Sequence, residues 1–225
     1  MGKSERLVVL PGWSHGADAW QSVLEVMPEA RVQELPGFGD EPLLSDAWGV
    51  PEYALWAAER LAAAPKSVIL LGHSFGGRVA SLIASERPEW LAGLILYGAP
   101  CLYRPEAATR AKVAAAKLLK PLKSLLPKGT GGNPELADAD ARGLGPIFRR
   151  TVPFDQTDML PKIAVPTLLL WGEQDASVPL RIAEEMRGLI PGSTLTVIPN
   201  AGHNAHLENP VLFTGIVARY LETLP

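Results

Sequence analysis

The chain has 225 residues, 47% apolar and 20% charged, the balance of one soluble globular domain with a substantial core. A net charge of −3 argues against a dedicated nucleic-acid binder, and a single cysteine, Cys101, excludes an intrachain disulfide. No run of about 18 apolar residues offers a membrane span, and Met1-Gly2-Lys3-Ser4-Glu5-Arg6 has no secretory pattern, so a cytoplasmic protein is expected.

Short apolar runs alternate with helix-like segments along most of the chain. Leu7–Leu10 reads as a strand ended by Pro11-Gly12, Asp18–Val26 as a helix, and Arg31–Leu35 as a strand stopped by Pro36-Gly37-Phe38-Gly39. Pro51–Ala64 reads as a helix, followed by a strand at Val68–Leu71, a helix at Gly77–Ser85 and a strand at Leu94–Tyr97. After a different middle section the rhythm resumes. A strand at Pro166–Trp171, a helix at Pro179–Leu189, a strand at Thr194–Ile198 and a helix at Pro210–Leu221 follow. Strand runs of four to six residues separated by helices predict a doubly wound α/β domain, with a parallel sheet of about six strands covered on both faces. Residues 1–100 and 160–225 form this core. The middle section, 101–159, lacks a convincing strand, and Ala107–Leu119 and Pro121–Leu126 read as helices of a cap inserted over the sheet.

The chemistry centres on Gly72-His73-Ser74-Phe75-Gly76, which lies between a predicted strand and a predicted helix. G-x-S-x-G in that context is a nucleophile elbow: the serine sits on a strained turn with its hydroxyl above the sheet, and the glycines admit close strand–helix approach. A serine hydroxyl needs a base within hydrogen-bond reach, and the base needs an orienting acid. His203, just beyond the Thr194–Ile198 strand, is the candidate base, because groups beyond the carboxyl ends of parallel strands converge on one crevice. Asp175, just past the penultimate predicted strand, is the candidate acid, with Glu173 as its rival. His73 reads as structural, His206 as a surface or supporting residue, and His15 as a possible substrate contact near the crevice. The oxyanion of an acyl-transfer intermediate requires two backbone donors, for which the N–H groups of Trp13 and Phe75 are the candidates. The Trp13 indole and His15 are candidates to border the pocket, and Cys101, following the strand before the cap, either borders it or is a packed, unreactive thiol, the reading that is favoured.

Five motifs in order, Leu10-Pro11-Gly12-Trp13, Leu35-Pro36-Gly37-Phe38-Gly39, Gly72-His73-Ser74-Phe75-Gly76-Gly77, Trp171-Gly172-Glu173-Gln174-Asp175 and Gly202-His203, make the chain resemble the α/β-hydrolase superfamily over nearly its whole length. The resemblance implies a Ser-His-Asp order of Ser74, Asp175 and His203, a core lacking the family's first two strands, and a compact helical cap. It extends loosely to the carrier-protein methyl ester esterases of biotin synthesis. Pro11-Gly12 stands where the family commonly has His-Gly at the oxyanion loop.

Serine at the elbow opposes a haloalkane dehalogenase or epoxide hydrolase, and the glycine patterns match neither a P-loop nor a dinucleotide fingerprint. One cysteine and dispersed histidines predict no metal site, and no cofactor is expected. Cleavage of a small ester or thioester through an acyl-enzyme fits these residues, with a slowly turning, receptor-like ligand binder as the reading from another class. Residues 101–150 carry ten Lys or Arg against four acids. Those lysines solvate one face of an amphipathic cap helix, or else steer an acidic acyl-carrier partner over the site.

Overall fold

Six parallel strands form one sheet in the order β2-β1-β3-β4-β5-β6 in the computed structural model, which describes residues 6–64, 67–104 and 134–225. The strands are β1 (Leu7–Leu10), β2 (Arg31–Val32), β3 (Val68–His73), β4 (Leu91–Tyr97), β5 (Thr167–Gly172) and β6 (Thr194–Ile198). β1, β3 and β5 are buried at every residue, which is why they read in sequence as unbroken apolar runs without alternation. Successive side chains still go to opposite faces. Val8, Leu10 and Leu70 join one core cluster, while Leu7, Val9, Ile69 and Leu71 join a second cluster on the other side of the sheet.

The described helices are α1 (Gln21–Val26), α2 (Val50–Ala62), α3 (Phe75–Ser85), α4 (Pro134–Ala141), α5 (Gly145–Thr151), α6 (Leu180–Leu189), α7 (Ala205–Glu208) and α8 (Pro210–Thr223). Residues of α2, α3, α5 and α6 cover the first face, and residues of α1 and α8 cover the second. None of the described helices is long and apolar enough to cross a membrane. Within the middle section, Leu144, Ile147 and Phe148 pack into the same core cluster as Phe75 and Leu35. The helices expected at Ala107–Leu119 and Pro121–Leu126 lie outside the described residues.

Several boundaries differ from the sequence expectation. β2 ends at Val32 instead of Leu35. Gln33 still donates to the Val9 carbonyl, but Pro36 has no N–H and Gly37 turns at φ 88°, so the chain leaves the sheet. The segment expected as one helix from Asp18 begins as a 3₁₀ turn, Ala17–Trp20, before α1.

Chain order and spatial order part company at β1. The chain moves from β1 outward to β2, then crosses back to lay β3 on the other side of β1. In an open parallel sheet the crevice beyond the carboxyl ends of the strands at such a switch point is where ligands bind. The loops after β1 and β3 contain Trp13 and Ser74, so these two segments frame the crevice.

Candidate active site

β3 passes into α3 through one residue, Ser74, whose φ of 50° and ψ of −114° are unusual for a side chain larger than glycine. The turn is held at both ends. Ser74 N–H donates to the Tyr97 carbonyl at 2.9 Å, and the Ser74 carbonyl accepts from Gly77 N–H at 3.0 Å and from Arg78 N–H at 3.3 Å. Gly76 explains why the motif needs a glycine there: a Cβ would fall on the Leu10 carbonyl oxygen of the adjoining strand. The strain presents a half-buried serine at the mouth of the crevice while its neighbours in α3 are buried.

Asp175 lies in the loop after β5, its side chain fully buried. Its Oδ1 accepts from the N–H groups of Ser177 at 2.9 Å and Val178 at 2.7 Å. That leaves Oδ2 to His203, whose Nδ1 lies 2.7 Å away. A carboxylate accepts, so the shared proton resides on Nδ1 and Nε2 is left as the basic nitrogen. Gly98, at φ 53°, ends β4 directly beneath this pair, and a Cβ there would come within 3.1 Å of the His203 ring. Glu173 is placed elsewhere, its Oε2 accepting from Asn200 N–H at 2.9 Å.

Ser74 and His203 line a single cavity of about 580 Å³, together with Trp13, His15, Phe75 and Arg78. Among the described residues no hydrogen bond joins the Ser74 hydroxyl to His203; in unliganded sites such contacts are commonly long and tighten around substrate. The backbone N–H groups of Trp13 and Phe75 have no partner among the described residues. The Trp13 indole packs edge-on against Phe38, Phe75 and Phe148 at centroid distances of 5.0–5.4 Å, which fixes the loop after β1 against the turn at Ser74.

His15 borders the cavity, whereas Cys101 does not. Pro100 reaches the cavity, but the chain then passes behind α3. There the Cys101 Sγ sits 3.3 Å from Ser81 Oγ and 3.8 Å from the Gly77 carbonyl, fully buried. Burial pushes this thiol up to about 11, so it has little thiolate character near neutrality.

The sequence reading, which gave His73 a structural role, did not find the supports supplied by Tyr97 and Arg78. The Tyr97 hydroxyl donates to the His203 carbonyl at 2.8 Å, and His73 Nε2 lies 3.1 Å from that same oxygen. The residue before the candidate nucleophile therefore holds the loop of the candidate base. Tyr97 gave no sequence signal beyond ending a strand beside the elbow strand. Arg78, one turn after Ser74, is buried and bonds the carbonyls of Thr151, Val152 and Phe154 at 2.7–3.1 Å, tying the end of α5 to the elbow helix. An arginine one turn into a helix has no motif of its own.

Histidines crowd the far side of this network. His206, fully buried, stacks on Trp20 at a centroid distance of 4.3 Å, and its Nδ1 lies 3.3 Å from the Tyr97 hydroxyl. Desolvation, with smaller contributions from His15 and His203, pushes His206 down to about 3. Desolvation also holds His73 well below the usual histidine range and lowers His15. These rings are neutral in the folded protein.

Residues 7–215 match the alpha/beta hydrolase family. The chain belongs to that family. The pimeloyl-[acyl-carrier protein] methyl ester esterase of Pectobacterium carotovorum subsp. carotovorum (strain PC1) is 30% identical, over 96% of this hydrolase and 94% of that protein. The esterase of the same name from Serratia marcescens is 27% identical over 98% and 96%. The hydrolase spans about half, 48%, of a further relative, the biotin biosynthesis bifunctional protein BioHC of Cellvibrio japonicus (strain Ueda107), at 26% identity. Among solved structures, a thermophilic esterase superposes with a TM-score of 0.72 at 26% identity, covering 98% of the hydrolase and 91% of that chain.

Proposed function

We propose that the protein is a serine hydrolase of carboxylic esters that works through an acyl-enzyme. Ser74 Oγ attacks the ester carbonyl while His203 Nε2 takes its proton, and Asp175 Oδ2 stabilises the imidazolium through Nδ1–H. The N–H groups of Trp13 and Phe75 receive the developing oxyanion, a contribution of about 2.7–4 kcal/mol per donor in comparable sites. His203 then returns the proton to the departing alcohol. In the second half, water attacks the acyl carbonyl while giving a proton to His203, the bond to Ser74 Oγ breaks, and His203 passes that proton to Oγ, releasing the carboxylic acid and restoring Ser74. The observation that supports this assignment best is the 2.7 Å Asp175–His203 contact at a cavity shared with the strained elbow serine.

Ser74→Ala tests the assignment. It is expected to lower kcat by roughly 10⁶-fold with the fold retained, measured on p-nitrophenyl esters from acetate to palmitate. Retention of more than about a tenth of wild-type turnover refutes it. Absence of brisk turnover on every ester of that panel and on a thioester assayed alongside it favours the receptor-like reading.

A narrower substrate, an acyl chain carried on an acidic carrier protein, is supported by two observations. The relatives named for a carrier-protein methyl ester match nearly the full chain, and residues 101–150 have a strong excess of basic side chains. Electrostatic steering predicts that kcat/KM on an acyl-carrier ester exceeds that on the free ester at low salt and loses that gain as salt rises. A gain that is absent or indifferent to salt removes the carrier reading and leaves the esterase.

A further inference from the structure

His15, His73 and His206 are far apart in sequence, yet one ring nitrogen of each lies within 4.8 Å of the corresponding nitrogens of the other two. Their ring centroids are 5.1–6.4 Å apart. Each ring also holds a buried nitrogen with no hydrogen-bond partner among the described residues: Nδ1 of His15, Nδ1 of His73 and Nε2 of His206. The bonds at the opposite nitrogens fix what these atoms present. His73 Nε2 faces a carbonyl oxygen, that of His203, and must donate to it, so its Nδ1 carries a lone pair. The Tyr97 hydroxyl spends its proton on the same carbonyl, so its oxygen accepts from His206 Nδ1–H and leaves Nε2 as a lone pair. His15 has no hydrogen bond at either nitrogen among the described residues and is free to present the same form. Buried lone pairs gathered without a donor are unfavourable, and an electron-pair acceptor removes the conflict.

We propose that His15, His73 and His206 bind one late first-row divalent metal ion through the nitrogens left without partners. Neutral imidazole suits zinc and its neighbours in the series, and three protein ligands with an open fourth position is a common zinc arrangement. Bond lengths of about 2.0–2.1 Å in a tetrahedron put ligand nitrogens about 3.3 Å apart. The cluster therefore contracts by about 1.5 Å at its widest on binding. His15, half-buried in the loop after β1, makes that movement, while His73 and His206 are buried and hydrogen-bonded. The ion enters through the candidate active-site cavity, which His15 and His73 both line. It would clamp together three segments that surround the candidate catalytic groups: the oxyanion loop, the elbow, and α7 just after His203.

Metal content and thermal stability test this without reference to turnover. Chelator-treated protein dialysed against Zn²⁺ is expected to retain one ion per chain and, at about a hundredfold excess over Kd, to melt roughly 5–10 °C higher, with no response to Mg²⁺. His15→Gln is expected to weaken binding at least roughly tenfold, and His206→Asn likewise. His203→Gln is expected to keep it. Because His15 is half-buried, its variant reports on binding even where His206→Asn fails to fold. The proposal is overturned by failure to retain zinc, as a site bridged only by water would show. It is also overturned by binding that survives His15→Gln but disappears in His203→Gln, which would place the ion on the Asp175–His203 pair instead.

Discussion

Asp175 accepts two loop N–H groups at one oxygen and faces His203 with the other, and this division of labour makes its replacement informative. In Asp175→Asn the side-chain carbonyl can keep both loop donors, but the amide then donates toward His203 Nδ1. The imidazole proton moves to Nε2, where it cannot accept from Ser74. Turnover of p-nitrophenyl esters is expected to fall on the order of 10⁴-fold, with melting temperature little changed. Cys101 offers a second check at this scale. A fully buried thiol with its ionisation pushed up to about 11 is expected to resist thiol reagents in the folded protein and to react on unfolding, which titration with and without urea measures. Prompt reaction in buffer would contradict the packing behind α3.

Between elements, Arg78 is the side chain whose removal reaches furthest. It bonds three carbonyls at and beyond the end of α5; in Arg78→Ala the Thr151 carbonyl keeps Phe154 N–H, while the part-buried carbonyls of Val152 and Phe154 lose their donor and the tie between α5 and α3 is cut. A loss of about 2–3 kcal/mol is expected, read as a fall in melting temperature of roughly 5–10 °C. The elements themselves were largely legible in sequence, because strands buried on both faces cannot tolerate polar interruption: the apolar runs within Val68–His73 and Thr167–Gly172 are buried at every residue. The Ser74–Phe75 elbow and the loops containing Asp175 and His203 were legible because glycine and a polar side chain follow an apolar strand there. What was hidden depends on the third dimension. Nothing local to Tyr97 says that its hydroxyl meets the carbonyl of residue 203, and histidines at 15, 73 and 206 look dispersed until the sheet order brings their loops together. For Cys101 two readings stood open, and the buried side chain behind α3 agrees with the packed thiol rather than with a place on the cavity wall, one residue beyond Pro100 being enough to turn it away.

Taken whole, the molecule disfavours charge on His15, His73 and His206 through burial, at a cost that appears in acid. The unfolded chain protonates a histidine near its ordinary value of 6.5, while folded His206 resists until about 3. Between those values the unfolded state binds the extra proton, so stability is fully present above about pH 6.5 and is lost as pH falls toward 3, by about 1.4 kcal/mol per unit for this ring alone. Trp20, Tyr97 and Phe213 surround His206, with His15, His73 and His203 the titratable rings nearby, and none offers a negative charge to offset protonation. Urea unfolding at pH 7, 6 and 5 in EDTA is expected to show this slope, reduced by about one proton in His206→Asn. An unfolding free energy independent of pH over that range would contradict it. The order of strands in the sheet has a further bearing on how the protein is made. β3 pairs only with β1 and β4, all within the first hundred residues, whereas β5 and β6, which place Asp175 and His203, join at the far edge. A growing polypeptide on the ribosome can therefore complete the serine's turn while its proposed partners are still untranslated, and the hydrolytic power proposed for it arises only after residue 203 has been read.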